Sequence, residues 1–190
     1  MASSSSSSSS PDSKSGVYTF RLYFYDEVDN QSAGKDYSMT NDELLQRLGK
    51  LIDTSEVIQE VMYYTNPLNG WQLYKGAVKP TGLENLQGNM HHAYIVFGTK
   101  NWWWSVEKND ACVAIQRSKT FEFVSKKYYR GHRQTSVFTG IDCVKKKTGQ
   151  QSRTVEQLLE HIVARDYVNQ KYHFLDQNCQ HLADKIYDYL

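Results

Sequence analysis

Asn178-Cys179 stands at the head of a segment whose apolar residues, Leu182, Ala183, Ile186 and Leu190, recur at helical spacing. Asparagine is a favoured N-cap, so the pattern predicts a terminal helix whose first turn carries the thiol. At that end the helix dipole and the first-turn N–H groups stabilise a thiolate and can face a developing oxyanion. The competing reading is a buried structural thiol, because Cys179 shares the face of Leu182, Ala183 and Ile186.

A cysteine nucleophile needs a base within reach and a third group to orient that base. His91 and His92 open the run His92 to Phe97, which reads as a strand, so their side chains point to opposite faces. With Gly98 to Asn101 as a turn and Trp102 to Glu107 as the partner strand, Phe97 faces Trp102 and His92 faces Glu107. Directly opposed residues have Cβ atoms ~5 Å apart, near enough for a carboxylate to hold the imidazole in one tautomer. Glu107 is therefore the candidate third member, against the alternative of a solvated carboxylate at a strand end. Ser105, on the same face, and Gln116, on the next strand, are weaker candidates. Trp103 shares that face and could wall a substrate groove.

These residues need elements to position them. Val17 to Tyr25 reads as a strand. Thr40 and Glu43 have capping-box spacing before Leu44, Leu45, Leu48, Leu51 and Ile52, which predicts a helix. Val57, Ile58, Val61 and Met62 could continue it as a second helix. After the β-rich middle, Ala111 to Arg117 reads as a third strand, with further strands at Phe121 to Val124 and Thr135 to Cys143. Lys145 to Gly149 reads as a solvated loop. Thr154 and Gln157 repeat the capping-box spacing ahead of Val155, Leu158, Leu159, Ile162 and Val163. Tyr172 to Leu175 reads as extended. Cys112 and Cys143 fall in strand-like sequence and read as structural.

The bulk numbers exclude several classes. The 190 residues carry 22 basic and 21 acidic side chains, a net charge of +1, which gives no support to a nucleic-acid partner. No apolar run approaches the ~20 residues needed to span a bilayer. The serine-rich start lacks the apolar stretch of a secretory signal, so a cytoplasmic protein is expected. No Cys-x-x-Cys or His-x-x-x-His spacing suggests a metal, and no cofactor is expected.

The run His92-Ala93-Tyr94-Ile95-Val96-Phe97-Gly98 resembles the histidine strand of the lecithin–retinol acyltransferase (LRAT)-like proteins, in the circularly permuted NlpC/P60 group of papain-like thiol enzymes. Tyr172 to Ala183, with Asn178-Cys179-Gln180-His181 inside it, resembles their cysteine motif, and is also similar to the Asn-Cys motif of the PPPDE isopeptidases. The resemblance covers roughly residues 88 to 190. It departs at Gln180, where the family has an acidic residue, and at Leu182, where it has phenylalanine. Where LRAT-like proteins carry a second histidine on the following strand, this chain offers Trp104, Ser105 or Glu107.

The resemblance implies an α+β fold, an antiparallel sheet packed against helices in a permuted papain-like core, with the cysteine on the C-terminal helix. It implies His92 as base and Cys179 as nucleophile. The expected organisation is a serine-rich tail over 1–16, an N-terminal strand and helices over 17–87 packed on the core, and the core itself over 88–190. The expected activity is a cysteine-dependent hydrolase or acyltransferase working through a thioester, on a peptide, protein or lipid acyl substrate. The alternative is a catalytically inactive binding or scaffold module on the same fold.

Overall fold

The structure, a computed structural model, describes residues 19–25, 35–67, 91–129, 131–133, 140–149, 152–170 and 178–190. The expectations for 1–16, for most of 135–143 and for 172–175 lie outside these residues.

A seven-stranded sheet runs in the order β2-β1-β6-β5-β4-β3-β9. Its strands are β1 (Thr19–Phe24), β2 (Lys35–Met39), β3 (Glu60–Pro67), β4 (His91–Gly98), β5 (Trp103–Lys108), β6 (Cys112–Ser118) and β9 (Asp142–Thr148). Only β1 and β6 pair in parallel; the other neighbours are antiparallel. A small hairpin joins β7 (Lys127–Tyr128) to β8 (Gly131–His132). The helices are α1 (Asn41–Leu51), α2 (Phe121–Ser125), α3 (Val155–Ala164) and α4 (Cys179–Tyr189). This is the expected α+β architecture, with the C-terminal helix packed on the sheet. Both capping boxes form: Thr40 with Glu43, and Thr154 with Gln157.

Strand alternation divides the buried residues between two faces. Ala93, Ile95, Phe97, Trp104 and Val106 point to one face, where Leu44, Leu48, Leu158, Ile162, Leu182, Ala183 and Ile186 cover them. Tyr94 and Val96 point to the other and pack with Met62, Tyr64 and Val124.

Three local expectations fail. Residues 57–62 do not continue a helix: Val57 bridges to Thr154, and β3 starts at Glu60. The strand alternates Val61, Tyr63 on one face with Met62, Tyr64 on the other. All four are buried, and burial on both faces removes the polar/apolar alternation that marks a strand. Phe121 to Val124 is helical, because Phe121 and Val124, three apart, both turn onto the second cluster. The Lys145–Lys147 run is a strand at the sheet edge and not a loop. Lys145 and Lys147 lie 5.7 and 4.4 Å over the Tyr187 ring while Lys146 meets Glu60 at 2.6 Å. Lysines on an edge discourage further strand pairing.

The β4–β5 register also differs. Phe97 faces Trp104, not Trp102, and Gly98 faces Trp103. Thr99 closes the turn instead: its N–H donates to the Trp102 carbonyl at 2.9 Å, and its hydroxyl oxygen accepts from the Trp102 N–H at 3.2 Å. Gly98 is required there, since a Cβ would lie 2.7 Å from the Trp103 ring. A slip of two residues preserves the face of every side chain, where a slip of one would reverse it.

Candidate active site

Asn178 caps α4 as expected. Its side-chain oxygen accepts from the N–H groups of Gln180 and His181 at 3.0 and 3.1 Å. The cap fixes Cys179 as the first residue of the helix, where it is 3% exposed. The Gln180 side-chain amide then donates to the His91 carbonyl at 2.9 Å, fastening the helix start to the start of β4.

Cys179 and His92 come together across the rim of the sheet. The apolar side of α4 packs on the face of Ala93 and Ile95, whereas His92 points to the face of Tyr94, with the two rings 6.1 Å apart and nearly parallel. Opposite faces of a sheet would ordinarily separate thiol from imidazole. They do not, because each residue is the first or second of its element and both meet at the strand end. The Cys179 thiol is close enough to His92 to help raise the pKa of its ring.

The far ring nitrogen of His92, Nε2, lies 2.7 Å from Glu107 Oε2. That contact was expected between directly opposed residues. In the observed register Glu107 continues the ladder opposite Tyr94, and His92 reaches it diagonally, within range for a long side chain. With Nε2 engaged by the carboxylate, Nδ1 is the ring nitrogen left to face the thiol.

Arg133 completes the group, and no spacing in the sequence marked it. It follows β8, and its backbone N–H donates to the Lys126 carbonyl at 3.0 Å. Its guanidinium grips Glu107 at both oxygens, Nη1 to Oε2 at 2.9 Å and Nη2 to Oε1 at 2.5 Å. It also lies 3.8 Å over the Tyr94 ring. The signal available was chemical: a carboxylate buried to 2% exposure demands a cation or a proton.

Ser105 and Gln116 sit on the same face and do a different job. The Gln116 amide nitrogen donates to Ser105 Oγ at 3.0 Å and to the Lys127 carbonyl at 3.2 Å, and its oxygen accepts from the Tyr129 N–H at 2.7 Å. Together they hold the hairpin that delivers Arg133. Trp103 shares the face but lies four residues from Glu107 along β5, ~13 Å at the rise of a strand, packed on Phe121. It does not border the Cys179–His92 contact.

Electrostatics follow from this chain of contacts. Burial alone would push the His92 pKa down. The hydrogen bonds to Cys179 and Glu107, and the Glu107 charge, outweigh it and hold the value up at about 9. Burial alone would raise Glu107, but Arg133 and His92 bring it down to about 2. Cys112 and Cys143 have thiols pushed up by burial. Cys112 is buried; Cys143 is exposed on β9, contrary to its expected structural role. Among the described residues no group of His, Cys, Asp and Glu is arranged to hold a metal ion, and no helix is long and apolar enough to cross a membrane.

Comparison with known families, with curated proteins and with solved structures gives no match.

Proposed function

We propose that the protein is a thiol hydrolase or acyltransferase in which Cys179 is the nucleophile, His92 its proton carrier and Glu107 the orienting carboxylate. The observation that carries this reading is His92 itself, 2.7 Å from Glu107 through Nε2 and raised in pKa by both Glu107 and the Cys179 thiol. A nucleophile, a base and an orienter in series are what covalent acyl transfer needs. A permuted papain-like core of the NlpC/P60 or LRAT-like kind accommodates the order of histidine before cysteine.

With its pKa near 9, His92 holds its proton at neutral pH. The reacting form is a Cys179 thiolate beside that imidazolium, with the helix start favouring the thiolate. The thiolate attacks an acyl carbon; a C–S bond forms and the carbonyl pair moves to oxygen, where first-turn N–H groups can receive it. Collapse expels an amine or alkoxide, which takes the His92 proton. Neutral His92 then deprotonates water, or an acceptor amine or hydroxyl, which attacks the thioester and releases the thiolate. Peptide, isopeptide and lipid acyl bonds all suit this chemistry. No disulfide joins the three cysteines, which supports a reducing, cytoplasmic setting.

Iodoacetamide near neutral pH should alkylate Cys179 at least ~10-fold faster than Cys112 or Cys143, because the thiolate is the reacting form. Equal rates would remove the proposal. One observation favours a second reading, an inactive binding module: Cys179 is only 3% exposed. Cys179→Ser separates the two. Loss of the protein's biological effect at unchanged melting temperature supports the enzyme; an intact effect supports the module.

A further inference from the structure

Glu107 has its side chain 2% exposed and Arg133 3%, and the two are joined at both carboxylate oxygens. His92, 15% exposed, touches the same carboxylate on one side and Cys179 on the other. Four ionisable groups therefore stand in a row, Cys179–His92–Glu107–Arg133, with little water to screen them. A buried charge is tolerated only when its neighbours compensate it.

We propose that Arg133 is a positioning residue that balances the charge of this row: thiolate, imidazolium, carboxylate and guanidinium alternate in sign and sum to zero, so Cys179 can ionise without leaving an uncompensated charge. The proposal rests on the thiol-enzyme reading of Cys179. It deepens that reading by giving the carboxylate a second partner, so that Glu107 serves His92 without making the row net negative. Remove the guanidinium, and the ionised row carries one excess negative charge. The cheapest relief is a proton, and every proton-binding group in the row then holds its proton to higher pH.

Among the described residues, the other groups facing the row do not supply a substitute cation. Tyr94 stacks between His92 and Arg133, and Tyr25, just past β1, and Tyr128 of β7 face the Arg133 charge. Burial pushes all three phenols up, so they stay neutral. Tyr63 on β3, also pushed up by burial, lies near Cys179 and near Asp184, which is itself an acid. Cys112 senses Glu107 and is raised by burial as well.

The test uses the full chain as wild type, Arg133→Gln, Arg133→Lys, Glu107→Gln, and Glu107→Gln with Arg133→Gln. Two midpoints are read: Cys179 alkylation by iodoacetamide against pH, and the His92 ring titration by NMR. Arg133→Gln should move both upward, by about one pH unit, or about tenfold slower alkylation at a fixed pH below the midpoint. Arg133→Lys, which keeps the charge but not the fork, should stay close to wild type. Unmoved midpoints in a folded Arg133→Gln protein would overturn the proposal, since a purely structural arginine changes stability and not titration. Should Arg133→Gln fail to fold, the comparison passes to the Glu107→Gln pair. Adding Arg133→Gln there must raise the Cys179 midpoint, and equal midpoints overturn the proposal. If wild-type Cys179 reacts no faster than Cys112 and Cys143, the enzyme reading fails, and the His92 midpoint still decides the role of Arg133.

Discussion

Glu107 and Lys108 are consecutive residues at the end of β5, both 2% exposed, and they point to opposite faces of one sheet. On the helix side, Lys108 Nζ donates to the carbonyls of Tyr167 and Gln170 at 2.9 and 2.6 Å, and burial pushes its pKa down to about 8. On the other side, Glu107 meets full charges in Arg133 and His92, and its pKa falls to about 2 in spite of burial. Dipoles satisfy a charge and leave it easy to neutralise; opposite charges lock it in. The helix face thus holds Lys108 by backbone carbonyls, whereas the far face is built to keep groups ionised. That difference is the physical basis for assigning the chemistry to the far face and its rim.

The largest expected effect comes from unlocking that charge. Glu107→Ala leaves Arg133 buried without its partner and should cost about 3–5 kcal/mol in urea unfolding. On the helix face, Leu182→Ala should cost about 2–4 kcal/mol through the cavity it leaves under α4. The comparison breaks if Glu107→Ala proves as mild as a surface substitution. It sharpens if replacing Glu107 and Arg133 together, by glutamine and methionine, recovers most of the loss, since a removed pair leaves no stranded charge.

A second difference is visible against pH. His92 has its folded pKa raised from 6.5 to about 9, so its contribution is complete below about 6.5 and is lost as pH rises through about 9. Glu107 is lowered from 4.5 to about 2, so its contribution is complete above about 4.5 and is lost as pH falls through about 2. Taken alone, these two groups make unfolding free energy highest between roughly pH 5 and 6.5 and lower it by a few kcal/mol toward pH 9, a loss that an ionised Cys179 and the lowered Lys108 offset in part. In His92→Gln the alkaline decline should flatten. The direct check is the His92 ring titration followed by NMR: a midpoint at or below about 6.5 would contradict the raised imidazole.

These contrasts also explain which parts of the molecule could be read from the chain. Caps and helix faces are local, so Thr40 with Glu43, Thr154 with Gln157, and Asn178 ahead of Cys179 were all legible. Alternation gave the faces of β4 and β5 correctly even with the register two residues out, because a slip of two conserves them. What local rules could not supply was β3, whose two buried faces erase the strand pattern, and the edge strand β9, whose lysines mimic a loop. Arg133 was invisible for a further reason: 26 residues separate it from Glu107, and only the Gln116-held hairpin brings it over the sheet.

The smallest effect isolates the rim from the scaffold. Asn178 and Thr154 cap α4 and α3 in the same manner, each side-chain oxygen accepting a first-turn N–H. Each alanine substitution should cost about 1 kcal/mol, the usual value of a cap. As stability changes the two should be indistinguishable. They differ in what stands next: Val155 begins α3, while Cys179 begins α4. A frayed first turn at Thr154 exposes part of a core helix and nothing more. At Asn178 it also loosens the N–H groups and dipole beside the thiol, and the Gln180 hold on His91. Asn178→Ala should therefore slow Cys179 alkylation several-fold at pH 7, whereas Thr154→Ala should leave it unchanged. Equal alkylation rates in the two variants, at equal stability, would mean that the helix start gives Cys179 its place and nothing of its reactivity.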